Sequence, residues 1–150
     1  MPLRGAPAKA GSINRNPVVR DWLEIEDVPF TGSRPDLPGS RSVIVRSKDE
    51  ADSVEFLPLN ALTEDWWESV SSMPHCKLWG PSDWAFAVAT ALVADAVFYG
   101  DMRSAGELRQ REAKMWTTED SRRANKVRYV EPTPKAVASV TDIDEYRDSL

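Results

Sequence analysis

The chain has 150 residues, 41% of them hydrophobic and 29% charged, which is the composition of one ordinary globular domain. This excludes a fully disordered chain, a collagen-like fibre and a disulfide scaffold. The net charge is −5, and the single Cys76 cannot form an internal disulfide, so we expect a reducing compartment. Residues 1–20 contain no apolar run, and we expect no secretory leader.

The first 58 residues predict little helix, because they hold seven of the eleven prolines. Residues 1–20 predict a flexible basic arm that carries Arg4, Lys9, Arg15 and Arg20. Residues 21–30 predict an extended segment that lies on another part of the fold. Residues 42–47 and 53–57 are rich in β-formers and predict a small hairpin, with residues 48–52 as its loop.

Residues 59–130 predict a helical core and oligomerisation domain, because prolines and glycines become rare and the apolar spacing turns helical. A first helix is capped by Asn60 or Thr63 and stopped by Pro74. Its apolar side chains are Leu62, Trp66, Trp67, Val70 and Met73. We interpret the tryptophans of this region as core or interface packing rather than as platforms for stacking bases.

A second helix over residues 83–99, with Ser82 as its cap, is apolar on nearly every face. It is shorter than a membrane span and carries Asp95, so we predict a helix buried in a bundle or between subunits, and we favour subunits. Its candidate core and oligomerisation residues are Trp84, Val88, Leu92, Asp95 and Phe98. A buried carboxylate needs a partner, and Arg103, Arg109 or another subunit is expected to supply it to Asp95.

Gly100 ends the second helix and Asp101 caps a third, over residues 102–116. Its predicted inward residues are Met102, Ala105, Leu108, Met115 and Trp116, and its predicted outward ion-pairing residues are Arg103, Glu107 and Arg111. A fourth helix over about residues 118–128 starts at a capping box of Thr117 and Asp120 and presents Arg122, Arg123 and Lys126 on one side. Residues 131–150 predict an acidic tail.

Catalytic patterns are weak in this sequence. His75 and Cys76 are adjacent, a spacing that seldom lets an imidazole activate a thiol, and two such ligands do not make a zinc site. The glycine-rich phosphate-binding patterns GxxxxGK[ST] and GxGxxG are both absent. Glu64, Asp65 and Glu68 are expected to form a solvated helix face. We therefore predict no catalysis, no metal and no cofactor.

Residues 101–128 carry eight basic side chains against five acidic ones, inside a chain that is acidic overall. Such a block is typical of a surface that binds DNA phosphates, although a helix face with internal ion pairs is the alternative. The candidate DNA-binding residues are Arg103, Arg109, Arg111, Lys114, Arg122, Arg123, Lys126 and Arg128. A helix-turn-helix around Ala96 and Gly100 fits poorly, because Arg103 and Gly106 fall at positions that should be apolar.

Several runs of the sequence resemble the small terminase subunits of tailed phages that infect actinobacteria. They are DVPFTGSRPDLP (27–38), MPHCKLWGPSDW (73–84), ALVADAVFYGDMRSAGELRQRE (91–112) and TTEDSRRANKVRYV (117–130). A tryptophan-rich helix just before MPHC adds to the similarity. The resemblance covers roughly residues 20–130 and leaves both ends of the chain unplaced.

The resemblance implies a mainly α-helical protein that assembles as a ring in the host cytoplasm. Its partners would be double-stranded viral DNA and the large terminase subunit, which carries the ATPase and nuclease. Many small terminases carry an N-terminal helix-turn-helix, whereas residues 1–58 here are not helical. The basic arm and the third and fourth helices are therefore both candidates for the DNA contact. The alternatives are a phage head or adaptor protein that does not bind DNA, and a dimeric helix-turn-helix regulator.

Overall fold

The computed structural model describes residues 21–134, so the basic arm and all but the start of the acidic tail lie outside the described part. Four α-helices, four short strands and two 3-10 helices form within it. In chain order they are β1 (Leu23–Glu26), β2 (Ser40–Val45), β3 (Ser53–Pro58), α1 (Ala61–Ser71), a 3-10 helix (Pro74–Leu78), α2 (Pro81–Phe98), a second 3-10 helix (Met102–Ser104), α3 (Ala105–Met115), α4 (Glu119–Ala124) and β4 (Val127–Val130). The predicted mainly α-helical core with a small hairpin agrees with this order.

The core lies where α2 packs against α1 and α3. Its buried residues are Trp67, Val70, Ala87, Ala91 and Met115. Ala87, Ala91 and Ala94 have no exposed surface, and alanine at these positions lets the neighbouring helices approach α2 closely. Trp66 and Trp84 are partly buried against this cluster, and the Trp84 ring lies 4.9 Å from Trp79 and 6.2 Å from Trp67. The packing role predicted for these tryptophans is confirmed.

By length and composition α2 is apolar enough to cross a membrane, yet part of it forms the core of this fold. Only 28% of its residues are buried, and Trp84, Val88, Leu92 and Phe98 remain half-buried. The predicted Ser82 cap is wrong. The helix begins at Pro81 after the Gly80 cap, and the backbone N–H of Gly80 donates to Asp83 Oδ2 at 2.8 Å. Proline suits this first turn because its missing N–H has no helical partner there.

Two small sheets flank the helices. β2 and β3 form the predicted antiparallel hairpin, with Ile44 opposite Val54. β1 pairs in parallel with β4, and each strand contributes one buried side chain, Ile25 from β1 and Val127 from β4. The predicted extended segment over residues 21–30 is therefore confirmed, but its β4 partner was not expected.

The second half of the chain corrects several predictions. α4 has only six residues, and Lys126 lies beyond its end with a left-handed φ of 55°, so Arg122, Arg123 and Lys126 do not share a helix face. The α4 cap pairs Thr118 with Ser121 instead of Thr117 with Asp120. Met102 is 70% exposed instead of facing inward, because a 3-10 turn precedes α3. The Asn60 cap of α1 and the turn at Gly100, with φ 100°, are confirmed. Asp101 caps the second 3-10 helix instead of α3, which begins only at Ala105.

Candidate nucleic-acid interface

Three of the predicted DNA-binding arginines surround one cleft of about 360 Å³ between β1, α4 and β4. We call it the arginine cleft, and its lining residues are Trp22, Glu119, Arg122, Arg123, Val127, Arg128 and Tyr129. The cleft forms because the chain turns back at the end of α4 and β4 then runs beside β1. Arg122 and Arg123 from α4 thus meet Arg128 from β4, although no helical or strand periodicity places the three on one face.

Arg122 fixes the floor of the cleft. Its Nη1 donates to the carbonyl oxygens of Trp116 at 3.0 Å and Thr117 at 3.1 Å, and its guanidinium lies 4.6 Å from the Tyr129 ring centroid. Those carbonyls belong to the left-handed turn at Trp116 that separates α3 from α4. Arg122 is therefore partly committed to holding this turn, and its role is structural as well as electrostatic.

Behind the cleft, Tyr129 continues into a buried hydrogen-bond chain with His75. A carbonyl oxygen only accepts, so His75 Nε2 donates to Met115 O at 2.7 Å, and the Tyr129 hydroxyl donates to His75 Nδ1 at 2.5 Å. This arrangement requires a neutral imidazole. Burial lowers the pKa of His75, despite the hydrogen bond to Met115, and the charge of Arg122 lowers it further. Burial likewise raises the pKa of Tyr129.

Arg123 and Arg128 form the exposed rim. Arg123 pairs with Glu119 at 2.7 Å, one helical turn away, and both side chains are exposed. Arg128 pairs with Glu24 on β1, and its guanidinium lies 5.6 Å from the Trp22 ring centroid. Exposed ion pairs contribute little stability, so a phosphate can replace these carboxylates as the partner at small cost.

The other predicted basic residues do not join the cleft. Arg103 pairs with Asp101 at 3.4 Å, and Arg111 pairs with Glu107 at 2.6 Å. Arg109 faces a hollow between α3 and α4, and Lys114 lies near the α2 residues Asp83 and Phe86. Lys126 follows α4, as described above. The eight residues therefore surround α3 and α4 and do not form one continuous face.

Trp22 was not identified from the sequence. Its indole is 42% exposed, and only the pairing of β1 with β4 brings it to the arginines. The spacing of residues 21–30 gave no sign of that pairing, because Trp22 and Arg128 lie more than a hundred positions apart.

Asp95 is fully buried within a single chain, which corrects the partners predicted for it. Arg41 Nε donates to its Oδ2 at 2.7 Å, while the Asn60 backbone N–H at 2.8 Å and the Thr63 hydroxyl at 2.7 Å donate to Oδ1. Arg103, Arg109 and a neighbouring subunit have no part in these bonds. Burial alone would raise the pKa of Asp95, but the three hydrogen bonds outweigh it and hold the pKa below its ordinary value.

Cys76 is buried, and its thiol donates to the Val70 carbonyl oxygen at 3.1 Å. Burial raises the pKa of this thiol to about 12, so it carries almost no thiolate at neutral pH. Both ring nitrogens of the neighbouring His75 are engaged elsewhere, as described above. Among residues 21–134, no three histidine, cysteine or acidic side chains come together as a metal-binding group.

The model of the family described as phage terminase small subunit matches residues 33–150. The match includes the hairpin, all four α-helices and β4, but not Trp22 and β1. No curated protein and no solved structure matches the chain.

Proposed function

Because the chain belongs to the phage terminase small subunit family, we propose that it binds double-stranded viral DNA at the packaging site and regulates the large terminase subunit. It acts in the host cytoplasm as a regulatory subunit without catalysis of its own. The family supports the role in genome packaging, and the geometry of the arginine cleft supports a specific DNA contact.

The single observation that carries the DNA contact is the convergence of Arg122, Arg123 and Arg128 on one cleft. Phosphate contacts of this kind supply affinity that does not depend on base sequence. Arg123 and Arg128 contact phosphates, while Arg122 positions Tyr129 and the α3–α4 turn. Arg103, Arg109, Arg111, Lys114 and Lys126 extend the positive field around the two helices without joining the cleft.

One cleft in which two arginines contact phosphates binds DNA weakly. We propose that the protein assembles as a homo-oligomeric ring, in which repeated copies of the cleft raise the affinity through avidity. The half-buried apolar side chains of α2, among them Trp84, Val88, Leu92 and Phe98, leave apolar surface for such contacts. Asp95 does not belong to this surface because it is buried by its own chain.

The test is a salt titration of DNA binding with the double variant Arg123→Gln/Arg128→Gln. Loss of two phosphate contacts should lower affinity and reduce the slope of log K against log salt by about 2. Fluorescence anisotropy with a short labelled duplex measures both quantities. Lys77→Gln is the matched control, because Lys77 is an exposed cation on the first 3-10 helix, outside the cleft.

A double variant with the slope and affinity of the unchanged protein would remove the cleft from the DNA contact. Absence of any salt-dependent binding by the unchanged protein would instead favour a head or adaptor protein that does not bind DNA.

A further inference from the structure

Trp22 is the only exposed tryptophan among the six in the chain. The others are buried or half-buried, and they are Trp66, Trp67, Trp79, Trp84 and Trp116. Trp22 instead lines the arginine cleft, where its indole ring lies 5.6 Å from the Arg128 guanidinium. An exposed indole contributes little to a core, but it offers a flat face on which a planar ligand can stack.

The pairing of β1 with β4 fixes the position of this indole. The next residue, Leu23, donates its backbone N–H to Lys126 O at 2.8 Å, and Glu24 lies opposite Arg128 in the register. Arg128 Nε donates to Glu24 Oε1 at 2.9 Å. Two paired strands thus hold the indole and the guanidinium side by side. Because this surface is already ordered, a ligand binds to it without paying to arrange it.

The lining residues of the cleft have only a small positive excess. Three arginines stand against Glu119, and Glu24 pairs with Arg128 from β1. Their charged chain neighbours among the described residues reduce the excess further, and they are Asp21, Asp120 and Lys126. Charge alone therefore holds an anion weakly here. A ligand that also contacts the indole gains affinity that salt does not screen.

The size of the cleft is suited to a single nucleotide. Its volume of about 360 Å³ lies near the lower end of the ~300–1,000 Å³ typical of small-ligand sites. The bases of a duplex are stacked on one another, so a duplex can offer only its backbone to the rim. An unpaired base has a free face for Trp22, while its phosphate reaches Arg123 or Arg128. The carboxylates that these arginines release can accept hydrogen bonds from base amino groups.

We propose that the arginine cleft binds an unpaired DNA nucleotide, with its base stacked on Trp22 and its phosphate on Arg123 and Arg128. Such a nucleotide is present in a single strand and in the overhang at the end of a duplex. The inference rests on the proposed DNA contact and names the form of DNA that the cleft takes. The arginines also bind the backbone of a duplex, whereas Trp22 acts only on the unpaired base.

Fluorescence anisotropy with three labelled DNAs tests the stacking role. They are a single strand, a blunt duplex of the same sequence and the same duplex with a single-stranded overhang. Trp22→Leu removes the aromatic face but keeps an apolar side chain, so it should weaken binding of the single strand and the overhang by at least about fivefold. Binding of the blunt duplex should not change. Because stacking displaces no counterions, the slope of log K against log salt should stay the same.

Two variants and one further measurement control this result. Trp22→Phe keeps an aromatic face and should retain most of the single-strand affinity. Phe56→Leu removes a ring that is 72% exposed on β3, outside the cleft, and should have no effect. Circular dichroism checks the folding of each variant. In the unchanged protein, single-strand binding should persist at salt concentrations that abolish duplex binding, which tests the proposal even if Trp22→Leu does not fold.

Equal single-strand affinity for Trp22→Leu and the unchanged protein would overturn the stacking site. A loss that comes with a smaller salt slope would overturn it too, since Trp22 would then act only by positioning Arg128. The expected loss at unchanged slope supports the site. Tighter binding of the overhang than of the single strand would then assign the site to DNA ends, and equal binding would assign it to any single strand.

The outcomes also separate this site from the proposed duplex contact. Duplex binding without Trp22-dependent binding of the single strand overturns the stacking site and leaves the duplex contact to the arginine titration. Trp22-dependent binding of the single strand without duplex binding supports the stacking site and overturns the duplex contact. Absence of binding to all three DNAs overturns both.

Discussion

At the scale of single residues, Asp95 joins α2 to the hairpin and to α1. Its carboxylate receives hydrogen bonds from β2 through Arg41, from the α1 cap through Asn60 and from α1 itself through Thr63. Both carboxylate oxygens thus accept hydrogen bonds, which is the condition for burying a charge at tolerable cost. Together with the hydrogen bond from the Tyr99 hydroxyl to Pro58 O, this side chain attaches the hairpin to α2.

We expect Asp95→Asn to lower the free energy of unfolding by about 3 kcal/mol, because it leaves the Arg41 guanidinium half-buried without its counter-charge. Urea unfolding followed by circular dichroism measures the loss. Glu107→Gln, which removes an exposed ion pair with Arg111, should change stability by no more than about 0.5 kcal/mol. Similar losses in both variants would contradict the structural role given to Asp95.

His75 makes stability depend on pH in a predictable direction. The pKa of His75 is lowered in the folded chain, so above pH 6.5 the residue is neutral in both states and the folded state is fully favoured. As pH falls below 6.5, the unfolded chain takes up the proton first and stability declines until pH reaches the lowered pKa. Because His75 is the only histidine, and Asp95 titrates below its ordinary 3.8, this window reports on His75.

Urea unfolding at pH 7.5 and pH 5.5 checks this expectation. The unchanged protein should be less stable at pH 5.5, and His75→Gln, although destabilised, should lose most of that pH dependence. Equal stability of the unchanged protein at both pH values would show that the imidazole is not held neutral.

At the scale of elements, α2 combines a closely packed side with an open side. Ala91 has no exposed surface where α2 meets the core, whereas Ala89, two positions earlier on the same helix, is exposed. The same substitution at the two positions therefore separates helix packing from helix propensity.

We expect Ala91→Leu to destabilise the protein by about 1–3 kcal/mol, because the larger side chain has no space between α2 and its neighbours. Ala89→Leu keeps a strong helix former on the open side and should be nearly neutral for unfolding. Thermal unfolding of the two variants measures the difference. Comparable destabilisation would mean that both sides of α2 are packed in the isolated chain.

The elements that are determined by residues close together in the sequence were predictable. The hairpin, α1, the turn at Gly100 and α3 all follow from local propensity, caps and apolar spacing. The pairing of β1 with β4 was not, because two four-residue strands far apart in the chain carry no shared pattern. For the same reason Arg103 and Arg109, near Asp95 in sequence, were predicted as its partners, while the actual partner Arg41 lies 54 positions away.

The candidate site was predictable only in composition. The basic block included Arg122, Arg123 and Arg128, which the structure brings to one cleft. Arg128 reaches the cleft because α4 ends early, at Ala124, and the chain continues as β4. Asn125 and Lys126 end that helix through an irregular turn without glycine or proline, so no sequence signal marked its end.

At the scale of the whole molecule, charge and apolar surface are separated. The arginine cleft lies on the β1–β4 side, whereas the two most exposed large apolar side chains, Phe56 and Met102, lie on the hairpin and the second 3-10 helix. An acidic chain of net charge −5 can thus carry a local positive site that is separate from its exposed apolar surface.

The parallel pairing of β1 with β4 also determines when the fold can be completed during synthesis. Leu23 pairs with Val127, so the ribosome must finish almost the whole described chain before β1 finds its neighbour. The hairpin and the first three helices make nearer contacts and can fold earlier, since closing a long loop is slow. We therefore expect the arginine cleft to form last, and a chain that ends before β4 lacks it.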